Sequence, residues 1–338
     1  MTWSLAYRRY RLPFRAPVRT AHGAWLVREG LVVLLAGENG TVGYAEVAPL
    51  PVYGTETVDE AEAACRALGG KVEGDAFADL APGLPCLSNA LQAARRAASG
   101  MPPPHAHLSV AALLPAGRPA LAAAVEKAEA GFRVFKWKVG MGEPDAEIGL
   151  LDELCAVLPG GSRLRLDANG AWDRRTAEKW LKHCADRPIE HVEQPCLGSR
   201  RGDRNLDDLL LGLAHDYPTP LALDESLAGD GDADRWLGLG WPGVYVVKPI
   251  LFADLGGVLR RLEMARAPVV FSSILETAVG ARTGLRAAFE WKGESRALGY
   301  GVWPLFADPR FDGPATGPFI RWTDVERINP EAVWNALS

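Results

Sequence analysis

The sequence predicts an α/β protein, a (β/α) TIM-type barrel of seven or eight βα units preceded by a smaller α+β domain. Three observations carry that prediction. From His107 onward, short apolar runs alternate with helical stretches rich in Ala, Leu, Glu and Arg. Polar residues recur at the carboxyl end of one apolar run after another, which is where a barrel keeps its active site. No glycine-rich dinucleotide fingerprint follows any of these runs, which argues against a doubly wound sheet.

Residues 1–104 read as the α+β domain. Trp3 to Leu12 is a predicted strand, and Pro13 to Trp25 a loop containing His22. Gly30–Ala36 and Thr41–Ala48 are apolar runs joined through Glu38-Asn39-Gly40, and Asn-Gly between two such runs is a hairpin signal. Pro49–Thr55 is a second irregular loop. Two helices follow, over Thr57–Leu68 and Ser88–Ser99, the latter with Ser88 as N-cap. Pro102-Pro103-Pro104 reads as a stiff linker.

The barrel occupies 105–308. Its strands are expected at Leu108–Leu114, Val134–Val139, Leu164–Asp167, Ile189–Glu193, Leu221–Asp224, Val244–Lys248 and Val269–Ser273, with a weaker one near Ala297–Val302. Helices are expected between them, for example over Pro119–Ala130, Glu147–Val157, Arg174–Ala185 and Leu255–Ala265. Residues 309–338 form an irregular tail expected to return to the first domain.

Composition narrows the function. With 48% hydrophobic and 23% charged residues the chain can bury a large core, and its net charge of −5 gives no pull toward nucleic acid or an anionic membrane. No apolar run approaches the ~18 residues of a membrane span. The first residues lack the apolar core of a secretory signal. The five cysteines are scattered without a CxxC pair, so neither a zinc knuckle nor a disulfide framework is expected and a cytoplasmic setting fits.

The chemistry-bearing residues sit at strand ends. Lys136 and Lys138 are two apart on one strand, so both ammonium groups project from the same face. Mutual repulsion and desolvation would lower the pKa of one or both toward a usable amine base. An edge strand protected by two lysines is the plainer alternative. Asp167 and Asn169, Glu193, Asp224 and Glu225, Lys248, and Ser272 with Ser273 follow at the ends of successive strands. Each has an ordinary explanation taken singly: the acids as helix caps, Glu193 with Lys248 as an ion pair, the serines as turn residues. Together, three converging carboxylates require a cation among them. An all-oxygen donor set favours Mg²⁺, with Mn²⁺ as a substitute. His191 and Cys196 are expected to be packing residues.

These elements, Lys136-x-Lys138, Asp167-x-Asn169, Glu193-Gln194-Pro195, Asp224-Glu225 and Lys248, resemble the muconate-lactonising branch of the enolase superfamily. Within that branch, Val246-Val-Lys-Pro-Ile-Leu and Phe271-Ser-Ser-Ile-Leu-Glu-Thr-Ala-Val-Gly look most like the o-succinylbenzoate synthase family. The resemblance implies an enolase-like barrel with an N-terminal capping domain. It also implies a metal-dependent hydro-lyase acting on a small carboxylate, with no nucleic-acid or membrane partner, on the route to menaquinone or phylloquinone. In that scheme Asp167, Glu193 and Asp224 hold the metal, and Lys138 is the base with Lys136 beside it. Lys248 stabilises the intermediate, Ser272 and Ser273 contact substrate, and Asn169 and Glu225 support the ligands. The loops at Arg19–Trp25 and Ala48–Gly54 close over the site. An N-succinylamino acid racemase of the same superfamily, with Lys138 and Lys248 as two bases, shares these residues. A non-catalytic binding barrel is the alternative of another class.

Overall fold

The computed structural model describes residues 2–20, 23–73, 83–96, 105–199 and 202–337. The first domain is a four-stranded antiparallel sheet in the order β3-β2-β1-β4, built from β1 (Thr2–Thr20), β2 (Gly23–Gly37), β3 (Val42–Val47) and β4 (Lys71–Glu73). Helices α1 (Val58–Leu68) and α2 (Pro85–Arg96) complete it. The Asn39-Gly40 hairpin forms as expected: Gly40 takes φ +80°, a conformation that favours glycine, and Gly37 N donates to Thr41 O.

Three expectations for this domain are corrected. The segment Pro13–Thr20 is strand rather than loop, and Gly23–Trp25 begin the next strand. Its prolines interrupt the ladder without ending it, since pairing with β2 breaks between Pro13 and Val18. Inside that break Arg15 N donates instead to Leu305 O, and Phe14 stacks on Phe306 with ring centroids 5.6 Å apart. The second helix begins at Pro85, not Ser88. Its first amides are met by Glu56 from a distant loop, which accepts from Cys86 N and Leu87 N at 3.2 and 2.8 Å. The strand β4 was not anticipated. The proline linker at 102–104, His22 and the tip of the Arg19–Trp25 loop lie outside the described residues.

The second part is a curled parallel sheet of seven strands in the order β12-β11-β10-β9-β8-β7-β6. The expected run Leu108–Leu114 divides in two. Its start is β5 (His107–Ser109), paired with β13 (Phe319–Arg321), and its end is β6 (Ala112–Leu114). Then come α3 (Pro119–Glu129), β7 (Val134–Lys138), α4 (Pro144–Val157), β8 (Arg163–Asp167), α5 (Arg174–Cys184) and β9 (Ile189–Glu193). The series continues through α6 (Arg204–Asp216), β10 (Leu221–Leu223), α7 (Asp230–Gly238), β11 (Val244–Val247), α8 (Leu255–Met264), β12 (Val269–Phe271) and α9 (Ala278–Glu290). The weak strand near 297–302 is no strand. That segment makes isolated parallel bridges, Leu298 to Val110 and Gly299 to Ser272, and so spans the gap between the two ends of the sheet. A Cβ on Gly299 would lie 2.5 Å from Ser272 Oγ, so only glycine fits this approach.

Alternation along the strands sets what faces where. In β7, Phe135 and Trp137 are fully buried, while Lys136 and Lys138 take the opposite face. Ala222, Val244, Val246 and Val270 form a small buried cluster separate from the main core. Lys248 and Ser272 continue the Val246 and Val270 faces by two residues. After β13 come α10 (Trp322–Glu326) and α11 (Pro330–Ala336). Trp334 of α11 lies against Tyr44 of β3 and under the guanidinium of Arg8. No helix among the described residues is long and apolar enough to cross a membrane.

Candidate active site

Strand register brings the predicted residues together. Lys138, Asp167 and Glu193 are successive partners across β7, β8 and β9, and Lys136 pairs with Arg165 one pleat deeper. Lys136 Nζ bridges two of the acids, 2.6 Å from Glu193 Oε1 and 2.9 Å from Asp167 Oδ2. Lys248 Nζ is in ion-pair contact with Asp224 Oδ1, and beyond that contact neither atom has a hydrogen-bond partner. Lys138 makes no hydrogen bond or ion pair with any described residue. The three lysines are therefore unlike: two neutralise carboxylates and one stands free of them.

The electrostatics correct one expectation. Repulsion between the paired lysines does not lower Lys136. Burial works in that direction, but the Asp167 and Glu193 carboxylates outweigh it and raise Lys136 above the ordinary lysine value. Lys248 is the lysine that falls, to about 8; burial is the main cause and the nearby Glu193 opposes it. Burial also raises Asp167 and lifts Glu225 to about 7. For Glu193 the ammonium groups of Lys136 and Lys248 overcome burial and hold it low. His191 is fully buried and pushed down to about 3, chiefly by burial, so it is a neutral packed residue.

Asn169 and Glu225 lie beside the acids. Asn169 takes φ +43°, which presents its N–H to Asp167 Oδ1 at 3.2 Å and its Nδ2 to Glu225 Oε1 at 3.0 Å. The two serines are not equivalent. Ser272 lies on the inward face and its Oγ donates to Gly299 O at 3.3 Å. The buried Ser273 turns its Oγ onto Glu276 Oε2 at 2.7 Å while accepting from Leu275 N at 2.9 Å. Its hydroxyl proton is thus given to the loop.

Sequence reasoning did not single out several residues that shape this site. Gln194, fully buried at φ +37°, accepts from Asp224 N and Ser226 N at 3.1 Å and so ties the ends of β9 and β10 together. Glu147 accepts from the amides of Gly140, Met141 and Gly142 at 2.8 to 3.1 Å, fixing the loop after Lys138. Tyr53, from the Ala48–Gly54 loop, sets its ring 5.0 Å from Lys248 Nζ. Leu113, the register partner of Lys136, is 50% exposed and supplies an apolar wall. Gln194 carried a local signal, its place in Glu-Gln-Pro, and Tyr53 belongs to a loop expected to close over the site; Glu147 bonds amides of the loop just before its own helix, and Leu113 is placed by strand register.

Among the described residues, no three of His, Cys, Asp or Glu are drawn together around a common point, since the lysines hold the acids. The donor set nevertheless suits a hard divalent cation. Asp167, Glu193 and Asp224 are buried oxygen donors from adjacent strand ends, and Glu225 Oε2 is buried with no partner.

Comparison with known proteins bears on the whole chain. Residues 3–97 match the family model "MenC, N-terminal domain", and residues 120–282 match "Enolase C-terminal domain-like". An o-succinylbenzoate synthase of Thermosynechococcus vestitus is 39% identical over 309 residues, covering 89% of this chain and 92% of that protein. One from Edwardsiella ictaluri is 34% identical over 80% of this chain and 82% of its own. The crystal structure of o-succinylbenzoate synthase from Thermosynechococcus elongatus BP-1, complexed with Mg in the active site, superposes with a TM-score of 0.84. It is 34% identical and covers 98% of this chain and 99% of its own. An N-succinyl Arg/Lys racemase from Bacillus cereus shares the fold, with a TM-score of 0.78 at 17% identity over 99% of this chain and 96% of its own. On these identities and coverages, the chain belongs to the o-succinylbenzoate synthase family of the enolase superfamily.

Proposed function

We propose that the protein is a metal-dependent hydro-lyase that dehydrates 2-succinyl-6-hydroxy-2,4-cyclohexadiene-1-carboxylate to o-succinylbenzoate, a step toward menaquinone. The observation that supports this best is the inequality of the lysines: Lys138 is without a partner among the described residues beside carboxylates that Lys136 and Lys248 neutralise. Lys138 takes the proton from C1, next to the ring carboxylate. The electron pair left at C1 forms the C1–C6 double bond as the C6–O bond breaks, and Lys138 returns the proton to the departing hydroxide, so that water leaves and the ring becomes aromatic. One lysine serving both steps requires that proton and hydroxyl depart from the same face.

Asp167, Glu193 and Asp224 are the proposed ligands of a divalent metal, Mg²⁺ in this reading, which when bound supplies positive charge against the substrate carboxylate and the enediolate formed from it. Lys136, two residues before Lys138 on the same strand face, holds Asp167 and Glu193 in place beside it. Lys248 provides a cation on the opposite side, backed by the ring of Tyr53. Leu113 offers a face for the ring and Ser272 is proposed to contact the succinyl tail, while Ser273, bonded to Glu276, supports the loop that carries Ser272. Residues 1–104 are proposed as the cap, with Tyr53 on the loop that excludes water.

The test is a direct assay for o-succinylbenzoate by the purified protein, with and without EDTA. Product formed only when divalent metal is present supports the proposal. Absence of product under both conditions refutes it.

A further inference from the structure

The backbone that carries Lys248 is held from the other domain. Pro249–Leu251 form one turn of 3-10 helix with Lys248 at its N-cap, and Lys248 O accepts from Leu251 N at 3.0 Å. Pro249, Ile250, Leu251 and Phe252 are all buried, so carbonyls of this turn need protein donors. Helix α2 of the N-terminal domain supplies them. Asn89, 4% exposed, donates from Nδ2 to Pro249 O at 3.0 Å and to Phe252 O at 2.7 Å. Gln92, one turn further along α2, donates from Nε2 to Ala253 O at 2.7 Å. Because both partners of Asn89 are carbonyls, its amide nitrogen has to face them, and no flip satisfies the site. On the far side the turn lies against α9. A Cβ on Gly280 would come within 2.7 Å of Ile250 Cδ1, and one on Gly284 within 3.4 Å of Pro249 Cγ. The turn is therefore fixed between a helix of each domain.

We propose that Asn89 is a positioning residue for the reaction: by holding the Pro249–Phe252 turn it sets where Lys248 projects into the site. This rests on the reading of Lys248 as the cation opposite Lys138. Neither Asn89 nor Gln92 touches the reacting atoms, so their effect passes through Lys248. It follows that docking of the N-terminal domain and completion of the lysine constellation are one event, and that this domain does more than cover the site.

A double-mutant cycle on the full chain tests the proposal, with steady-state dehydration as readout. Asn89→Leu keeps the size of the side chain and removes both hydrogen bonds. It is expected to lower kcat about tenfold with KM within about twofold, since a misplaced catalytic group costs up to ~10²-fold. Lys248→Arg keeps the charge but displaces it, and is expected to lower kcat on its own. In the Lys248→Arg background, Asn89→Leu is expected to change kcat by less than about twofold, as for two residues acting through one position. Multiplicative effects overturn the proposal, because a lost fraction of folded protein would lower kcat equally in both backgrounds. Unchanged kcat in either single variant also overturns it. Wild-type kcat in Lys248→Ala would instead remove the role of Lys248, and the proposal with it. If Asn89→Leu does not fold, Gln92→Ala enters the same cycle with a smaller expected loss of about threefold.

Discussion

At the scale of single residues, three lysines with the same chemistry are given different states by their neighbours. Lys136 is bound to Asp167 and Glu193, Lys248 contacts Asp224, and Lys138 is left without a described partner. Lys138→Ala is therefore expected to cut turnover by at least ~10³-fold, in the range of general acid–base contributions, while the circular dichroism spectrum stays that of the parent. Lys138→Arg is expected to be equally impaired, since a guanidinium does not give up its proton; turnover within about tenfold of the parent in either variant would remove Lys138 as the base. A second residue, Glu276, yields a prediction on pH. Burial lifts it from its ordinary value of 4.5 to about 7, against the opposing bonds from Ser273 and Ile274. An acid whose folded pKa is raised binds protons more tightly in the native state, so its stabilising contribution is full below about pH 4.5 and is lost as pH rises through about 7. The linked change is about 3 kcal/mol. Urea midpoints measured from pH 5 to 8 are expected to fall less steeply in Glu276→Gln than in the parent, and parallel curves would contradict this origin.

At the scale of elements, the contacts that matter join one element's end to a side chain from elsewhere. The N-terminus of α9 is capped by Glu46 of β3, which accepts from Thr277 N at 3.0 Å and Gly280 N at 2.8 Å, and from the Thr277 hydroxyl. Tyr10 OH donates to the same carboxylate at 2.5 Å. A buried anion at a helix N-terminus is favoured by the helix dipole as well as by these bonds. Glu46→Ala takes this acceptor from two buried amides and two hydroxyls, and is expected to lower stability by about 3 kcal/mol. A denaturant midpoint shifted downward with an unchanged slope would bear this out; an unshifted midpoint would not. The helix boundaries show the same principle in a smaller case. Ser88 looked like an N-cap because it is a good local one, but Glu56 reaches Cys86 N and Leu87 N from a distant loop and lets α2 begin at Pro85. No short-range pattern encodes that cap.

At the scale of the whole molecule, the two domains share the site. The barrel carries the lysines and acids, while the N-terminal domain sends Tyr53 to Lys248, Asn89 to the turn behind it and Glu46 to α9. Buried carboxylates at the barrel mouth that are now matched by lysines are proposed to be matched by a divalent metal in turnover. Dialysis against EDTA is expected to abolish dehydration, and added Mg²⁺ to restore it. The metal-free protein should also unfold at a lower temperature than the loaded one, because a ligand bound only by the native state stabilises it. Full activity after exhaustive chelation would overturn the metal-dependent reading.

By itself the sequence determined the order of elements in the barrel and which side chains end its strands. Both are local: apolar alternation selects the strand face, and a Gly, Pro or helix start after each strand marks its end. Hence Lys136, Lys138, Asp167, Glu193, Asp224 and Lys248 were legible before any geometry. Tertiary structure decided the rest. It continued β1 through its prolines, because residues 305–307 pair with them, and it closed the barrel with bridges at Leu298 and Gly299 in place of an eighth strand. It also raised Lys136 above the ordinary lysine value, through Asp167 and Glu193 against burial, and gave Ser273 to Glu276. The reason is common to all of these: a group's charge state and free hydrogen bonds are set by whatever the fold places within a few ångströms of it. Apart from Glu276, three residues from Ser273, those neighbours come from segments that no local pattern connects.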